Sequence, residues 1–192
     1  MSTVTNIMFV GVGGQGTLLA SKIVGHVLIG RGYDAKISEV HGMSQRGGSV
    51  VTYVRFGEKV YSPIVSDGEA DVIVAFEQLE GARWIGSLKK SGTMIINTQK
   101  IEPMPVITGA AQYPEEIIQT LKDTGANIVD VDALPAAEAC GSAKAVNIVL
   151  IGLMARILNM DIEEFIQAVE ALVAPKFQEM NKEALRKGYA LR

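Results

Sequence analysis

The first segment whose residues suit ligand chemistry is a glycine loop near the start of the chain. Residues 11–16 read GVGGQG, which satisfies the spacing G-x-G-x-x-G. Such a loop lets main-chain N–H groups at a helix N-terminus approach a phosphate or carboxylate closely. An apolar run precedes the loop and a helical pattern follows it, which is the context that the motif requires. The predicted binding residues of this loop are Gly11, Gly13, Gly14, Gln15, Gly16 and Thr17.

An acidic residue follows at the distance expected of a dinucleotide fold. Glu39 ends the second predicted strand, where such a fold places the acid that binds a ribose hydroxyl. Taken alone, the glycine loop and Glu39 predict an NAD site. The alternative is that the glycines only permit a tight strand-to-helix crossing, while Glu39 is a solvated or partner-facing carboxylate. A similar choice applies to Glu77, which either supports the ligand edge or is a solvated helix cap.

A second polar loop, HGMSQRGG at residues 41–48, comes directly after the second predicted strand. Arg46 has the paired donors that hold a carboxylate or phosphate, and His41 can donate or accept a proton near neutral pH. The loops after the first two strands of a doubly wound sheet share its carboxyl edge, so we expect the two loops to be neighbours. The alternative is a surface loop in which Arg46 pairs with Glu39. Further predicted binding residues are Glu39, Ser44, Arg46, Gly47 and Gly48, and the auxiliary catalytic candidates are His41, Gln45 and Arg46. The residues predict no catalytic dyad and no metal site.

The elements that must position these loops alternate between strands and helices. Short apolar runs predict strands over 6–12, 34–40, 49–56, 71–76, 93–97 and 127–132, and a hairpin turn at 57–58 leading into 59–61. Helical spacing predicts helices over 17–29, 77–88, 114–124, 145–158, 161–173 and 176–187. The predicted fold is α/β, a single domain over residues 1–192 with a Rossmann-like, doubly wound, mainly parallel sheet, a hairpin and C-terminal helices.

Composition excludes several classes of protein. The 192 residues carry a net charge of −3 with both signs scattered along the chain, which disfavours nucleic acid as a partner. The longest apolar stretch, 145–158, is shorter than the roughly 20 residues that span a membrane, and the N-terminus lacks a secretory signal. We therefore expect a cytoplasmic protein that does not contact the membrane. Cys140 is the single cysteine, so the chain alone can form no internal disulfide and cannot supply the thiolates of an iron–sulfur cluster.

Three ordered motifs carry a family resemblance that covers nearly the whole chain. They are GGQG at residues 13–16, EVHGMSQRGG at 39–48, and Ser62-Pro63 ahead of DVIVAFE at 71–77. Together they resemble the gamma domain of 2-oxoacid:ferredoxin oxidoreductases. The HGMSQRGG form is most similar to the beta subunit of indolepyruvate:ferredoxin oxidoreductase, and the similarity extends through Asn147 and the C-terminal helices.

The resemblance implies an oxidoreductase subunit of anaerobic metabolism that supports oxidative decarboxylation of an aryl 2-oxoacid. With coenzyme A as co-substrate, the products are an acyl-CoA, carbon dioxide and reduced ferredoxin. The resemblance also implies that thiamine diphosphate and the iron–sulfur clusters are held by a large partner subunit. This chain alone then binds no cofactor and contacts ferredoxin only through the complex. The segment SDGE at 66–69 lacks the first glycine of a Gly-Asp-Gly thiamine motif and the paired asparagines that follow it.

Two other functions stay open from the residues alone. A self-sufficient NAD(P)- or flavin-dependent oxidoreductase would use the glycine loop directly, but it needs a substrate pocket and proton-transfer residues that no motif reveals. An assembly scaffold would use the same loops to bind only the partner. A surface built to bury against a partner can also self-associate when that partner is absent, so the isolated chain can form a homodimer.

Overall fold

In the computed structural model, which describes residues 4–41 and 47–191, six strands form one sheet. The strands are β1 (Thr5–Val12), β2 (Asp34–His41), β3 (Ser49–Gly57), β4 (Ala70–Ala75), β5 (Leu88–Asn97) and β6 (Asn127–Val131). Their order across the sheet is β2-β3-β1-β4-β5-β6. β1, β4, β5 and β6 pair in parallel, whereas β3 is antiparallel to both β1 and β2. The predicted doubly wound, mainly parallel sheet is therefore confirmed.

The centre of the sheet consists of β1 and β4, which are buried on both faces. The parallel register pairs Ile7 with Val72 and Val10 with Ala75, and all four side chains are almost inaccessible to solvent. Continuous apolar runs of this kind are typical of parallel strands that helices cover on both sides. This arrangement places the end of β1, and the glycine loop after it, in the middle of the carboxyl edge.

Helices cover the two faces of the sheet. They are α1 (Thr17–Gly30), α2 (Gln78–Trp84), α3 (Met104–Ile107), α4 (Ile117–Asp123), α5 (Leu134–Glu138), α6 (Val146–Ile157), α7 (Ile162–Leu172) and α8 (Pro175–Ala190). On one face Phe9 of β1 packs in a core with Ile23 of α1 and Ile148 of α6. On the other face Met8 of β1 packs in a core with Leu121 of α4. Within the described ranges, no helix is both long enough and apolar enough to cross a membrane.

The predicted hairpin turn at residues 57–58 is wrong. β3 ends at Gly57, and residues 58–69 contain no strand. A side chain binds this segment instead of a strand, because Arg55 Nη1 donates to the carbonyl oxygens of Ser62 (3.1 Å) and Ile64 (2.7 Å). The antiparallel connection lies earlier, between β2 and β3, and the polar loop forms it.

The predicted helix over 114–124 begins later than expected. α4 starts at Ile117, because Glu116 has a φ of 54° in the left-handed region, through which an α-helix cannot continue. Pro114 therefore precedes the helix and is not part of its first turn. The other predicted helices correspond to α1, α2, α6, α7 and α8 within a few residues, while the short α3 and α5 were not predicted.

Candidate functional site

The glycine loop and the polar loop meet at the carboxyl edge of the sheet. The N–H of Gly13 donates to the carbonyl oxygen of Gly48 (2.8 Å), and the N–H of Gly47 donates to the carbonyl oxygen of Gly13 (3.2 Å). The expected proximity of the two loops is therefore confirmed. The candidates that lie outside the described residues are Ser44, Gln45 and Arg46.

The turn from β1 into α1 depends on Gly16. Its φ of 83° lies in the left-handed region, and a Cβ atom there would lie 2.4 Å from Asn147 Nδ2. Asn147 is buried, and the same nitrogen donates to the Gly16 carbonyl oxygen (3.2 Å). Only glycine suits both this conformation and this contact. α1 then begins at Thr17 without a side-chain cap, so a ligand or solvent must supply acceptors for its first N–H groups.

The side chain of Gln15 binds the ends of two central strands. Its Oε1 accepts the N–H of Val12 (2.7 Å), and its Nε2 donates to the carbonyl oxygen of Phe76 (3.0 Å). The same Nε2 lies 3.3 Å from Gln99 Oε1. These bonds join the carboxyl ends of β1 and β4 and leave both polar atoms of Gln15 occupied by the fold. A direct contact between Gln15 and a ligand stays a prediction.

One side of the glycine loop opens into a cleft of about 290 Å³, which we call the Glu39 cleft. Glu39 and His41, both on β2, line it together with the glycine loop. Glu39 is half-buried and accepts a long hydrogen bond from Thr52 Oγ1 (3.4 Å). The alternative pairing of Glu39 with Arg46 lies outside the described residues. The cleft therefore has the composition that the dinucleotide hypothesis expects, a carboxylate beside a glycine loop.

The other side of the loop opens into a cleft of about 440 Å³, which we call the Lys144 cleft. Gln15, Phe76 and Gln99 line it from the ends of β1, β4 and β5, and Lys144 and Asn147 line it from the start of α6. The strand order reverses between β1 and β4, which is where open α/β sheets bind ligands. Residue spacing did not point to this cleft, because its polar residues come from distant segments. The one available signal was Asn147, a polar residue inside an otherwise apolar run.

Glu77 is a buried helix cap. Its residue is 1% exposed, and its carboxylate accepts the N–H of Glu80 (2.9 Å) at the start of α2 and the N–H of Ile101 (3.2 Å). The hydroxyl of Tyr113 also donates to this carboxylate. The interpretation of Glu77 as a solvated cap is therefore wrong, since protein donors replace water around it. Burial, reinforced by the hydrogen bond to Glu77, raises the pKa of Tyr113.

Glu80 is a second buried carboxylate, close to the first. Ser49 Oγ donates to its Oε2, and Arg83 Nη1 donates to its Oε1 (2.7 Å). Burial raises the pKa of Glu80, and the neighbouring Glu77 carboxylate acts in the same direction. No motif singled out Glu80, because its partner Ser49 lies 31 positions earlier in the chain.

The described residues do not fit thiamine diphosphate or an iron–sulfur cluster. Asp67, in the segment 66–69, accepts a hydrogen bond from Ser87 Oγ (3.1 Å), so its carboxylate belongs to a local turn. Cys140 is half-buried, its thiol donates to the Ala136 carbonyl oxygen, and burial raises the pKa of the thiol. Across residues 4–41 and 47–191, no three His, Cys, Asp or Glu side chains come together as metal ligands. No step that depends on such a cofactor is assigned to the residues of this chain.

Comparison with known sequences identifies the family. Residues 6–191 match the family described as pyruvate ferredoxin/flavodoxin oxidoreductase. The indolepyruvate oxidoreductase subunit IorB of Thermococcus kodakarensis is 39% identical to this chain over 190 residues, which cover 95% of this chain and 93% of that protein.

Comparison with solved structures identifies the same fold in two oxoacid oxidoreductases. The gamma subunit of a keto/oxoacid ferredoxin oxidoreductase from Geobacter sulfurreducens gives a TM-score of 0.70 at 24% identity, covering 96% of each chain. The 2-oxoglutarate:ferredoxin oxidoreductase from Magnetococcus marinus, solved with 2-oxoglutarate, coenzyme A and succinyl-CoA bound, gives a TM-score of 0.75 at 17% identity. That likeness covers 99% of this chain but 31% of the other, so the same fold also occurs inside a much longer polypeptide.

Proposed function

Because the chain belongs to the pyruvate ferredoxin/flavodoxin oxidoreductase family, we propose that it supports the CoA-dependent oxidative decarboxylation of an aryl 2-oxoacid. The chain is a small subunit of a 2-oxoacid:ferredoxin oxidoreductase, and indolepyruvate is the substrate that we assign to the complex. In this reaction the bond between the carboxylate and the oxo carbon breaks and carbon dioxide leaves. The remaining acyl group is transferred to coenzyme A, and the electrons released pass to ferredoxin.

The proposal divides the chemistry between two subunits. A large partner holds thiamine diphosphate and the iron–sulfur clusters, since one cysteine in this chain cannot ligate a cluster. This chain, acting as one gamma-type domain over residues 1–192, contributes the two loops and the clefts beside them. Ferredoxin then contacts the complex through the partner, and the assembly belongs to the anaerobic metabolism of the cytoplasm.

The observation that carries the proposal is the junction of the glycine loop with the polar loop, between two clefts of different polarity. Glu39 places a carboxylate in one cleft, and Lys144 places an exposed ammonium group beside the other. Coenzyme A carries phosphate groups, which favour a cation and the N–H groups at a helix N-terminus. We therefore assign the phosphates of coenzyme A to the Lys144 cleft.

A dinucleotide-dependent oxidoreductase is the second candidate, and the Glu39 cleft is the observation that favours it. There Glu39 lies with His41 beside the glycine loop, as a ribose-binding acid would. Calorimetric titration of the isolated chain with coenzyme A, NAD and NADP separates the candidates. Binding of coenzyme A supports the first, tight binding of NAD or NADP supports the second, and binding of none of them supports an assembly scaffold.

The decisive experiment is co-purification of the tagged chain from its host under anaerobic conditions. A large thiamine- and cluster-bearing partner is expected, together with ferredoxin reduction that requires both a 2-oxoacid and coenzyme A. A lone protein that binds NAD tightly would overturn the proposal. Size-exclusion chromatography of the isolated chain tests the expected self-association, and rates with indolepyruvate and pyruvate test the choice of oxoacid.

A charge-removing variant in the polar loop distinguishes an active-site role from a scaffold role. Arg46→Ala is expected to reduce turnover while the complex stays assembled. Loss of assembly without a specific loss of turnover would support the scaffold. Arg186→Ala is the matched control, since Arg186 is an exposed arginine on α8.

A further inference from the structure

The carboxylate of Glu80 lies where α2 meets the polar loop, and the proposed reaction makes no use of it. Its side chain is 3% exposed, yet it faces two donors, the hydroxyl of Ser49 and the guanidinium of Arg83. A buried carboxylate costs free energy unless such donors replace its lost water, and well-packed apolar residues often serve stability equally well. The carboxylate therefore provides directional attachment, which an apolar side chain at this position could not provide.

The attachment reaches the glycine loop through consecutive residues. Ser49 is the first residue of β3 and pairs with Val12 at the end of β1. The residue before it, Gly48, accepts the N–H of Gly13 at 2.8 Å. A hydrogen bond from Ser49 to Glu80 thus fixes the point where the polar loop returns to the sheet, beside the loop that it contacts.

Arg83 anchors the same carboxylate from the side of solvent. Its side chain is 46% exposed, and it lines a cleft of about 260 Å³ together with Gly47, Gly48 and Ser49. The pair Arg83–Glu80 spans one turn of α2, so the rigid helix holds the carboxylate in a fixed direction. Helix α2 is in turn capped by the buried carboxylate of Glu77, which accepts the N–H of Glu80.

We infer that Glu80 is a positioning residue, which through Ser49 holds the returning end of the polar loop in the geometry that binds coenzyme A. This inference rests on the proposed function, because coenzyme A is the ligand that we assign to the paired loops. Glu80 acts through Ser49 and the loop backbone. Its loss should therefore weaken ligand binding more than it slows the chemical step on the partner subunit.

The test uses the assembled complex with Ser49→Ala, Glu80→Gln and the double variant. Ser49→Ala removes the hydroxyl donor and leaves the Glu80–Arg83 pair in place. Glu80→Gln keeps the shape of the side chain but has one acceptor oxygen for two donors. Both single variants are expected to raise KM for coenzyme A about tenfold, as for a lost hydrogen bond to a charged group, with a smaller change in kcat.

Two further variants distinguish positioning from a general loss of stability. Ser49→Thr keeps the hydroxyl and is expected to restore KM, and Glu163→Gln, at an exposed glutamate of α7, is the matched control. If Ser49 and Glu80 act through one hydrogen bond, the double variant should raise KM no more than the stronger single variant. Assembly is checked for every variant by size-exclusion chromatography.

The outcomes separate this inference from the proposed function. Variants that match a wild-type complex with normal CoA-dependent turnover, or effects of Ser49→Ala and Glu80→Gln that multiply, overturn the role of Glu80 alone. A wild-type complex with no CoA-dependent turnover overturns the proposed function and the role of Glu80 with it. A raised KM that Ser49→Thr corrects supports both.

Discussion

The side-chain nitrogen of Asn147 lies 3.2 Å from the carbonyl oxygen of Gly16, although 131 positions separate the two residues in the chain. The contact joins the second residue of α6 to the last residue of the glycine loop. Gln15 holds the same loop from the other direction, through the Phe76 carbonyl oxygen at 3.0 Å. The loop is therefore supported by residues from both ends of the chain.

The contact between Gly16 and Asn147 predicts that alanine is tolerated less well at Gly16 than at Gly14. Both glycines have positive φ, 83° and 106°, and each alanine pays about 1–2 kcal/mol for a left-handed conformation. At Gly14 a Cβ atom meets nothing within 4 Å, whereas at Gly16 it lies 2.4 Å from Asn147 Nδ2. Gly16→Ala should therefore lower the free energy of unfolding by about 1–3 kcal/mol more than Gly14→Ala, measured by urea denaturation.

A second variant tests the cause of that difference. Asn147→Ala removes the clashing nitrogen, so adding it to Gly16→Ala should cost less stability than adding it to the wild type. Strictly additive losses would show that the clash with Asn147 is not what excludes alanine from Gly16.

The contacts of Gln15 predict a loss of stability when its side chain is removed. Gln15→Ala leaves the Phe76 carbonyl oxygen and the Val12 N–H without this partner and should cost about 1–3 kcal/mol of unfolding free energy. Gln119→Ala, at an exposed glutamine of α4, should cost far less. Urea denaturation monitored by circular dichroism checks both. Equal stabilities would show that Gln15 serves the ligand and not the fold.

The raised pKa of Glu80 predicts a pH-dependent contribution to stability. An acid whose pKa is raised by folding stabilises the folded state fully below its ordinary value of 4.5, and this contribution is lost as the pH rises through the raised pKa. The unfolding free energy of the wild type, minus that of Glu80→Gln, should therefore fall from mildly acidic to neutral pH. Urea denaturation at a series of pH values measures it. A difference that stays constant or rises with pH would contradict the burial argument.

The hydrogen bond from Tyr113 to Glu77 predicts a specific cost for losing one hydroxyl group. Tyr113→Phe keeps the ring in its core but removes one donor from a buried carboxylate, which should cost about 1–3 kcal/mol of unfolding free energy. Tyr61→Phe is the control, because Tyr61 is 90% exposed and should change stability little. Thermal unfolding of the two variants in parallel gives the comparison, and equal midpoints would remove Tyr113 from the network.

The assignment of coenzyme A phosphates to the Lys144 cleft predicts a charge effect on binding. Lys144→Gln should weaken coenzyme A binding several-fold at low salt, and less as salt screens the charge. Lys90→Gln removes the same charge from an exposed lysine near the start of β5, far from the carboxyl edge, and should leave binding unchanged. Isothermal titration of both variants decides. Weaker binding in Glu39→Gln but not in Lys144→Gln would move the ligand to the Glu39 cleft.

The sheet and its main helices could be predicted because they depend on local patterns. The apolar run at 6–12 and the helical spacing at 17–29 coincide with β1 and α1 to within a residue. Contacts between distant segments could not be predicted, since periodicity indicates which side of an element is buried but not what covers it. Asn147 against Gly16 and Ser49 against Glu80 belong to this class.

The wrong hairpin turn at 57–58 has a related cause. Residues 59–61 were read as a strand from their alternation, and nothing local indicated that Arg55 would bind the main chain that follows. Hydrogen bonds from a side chain can satisfy a segment without a neighbouring strand. The same holds for Glu77, whose burial depends on Ile101 and Tyr113 and not on its own neighbours in sequence.

The support that Asn147 gives to Gly16 also sets an order of events during synthesis. The glycine loop leaves the ribosome early, but its contact from α6 becomes available only after most of the chain has been made. A nascent or truncated chain that ends before α6 would carry the whole motif in sequence and still lack the finished loop. Competence to bind a ligand is thus acquired late, so unfinished chains cannot compete with the complete subunit for ligand.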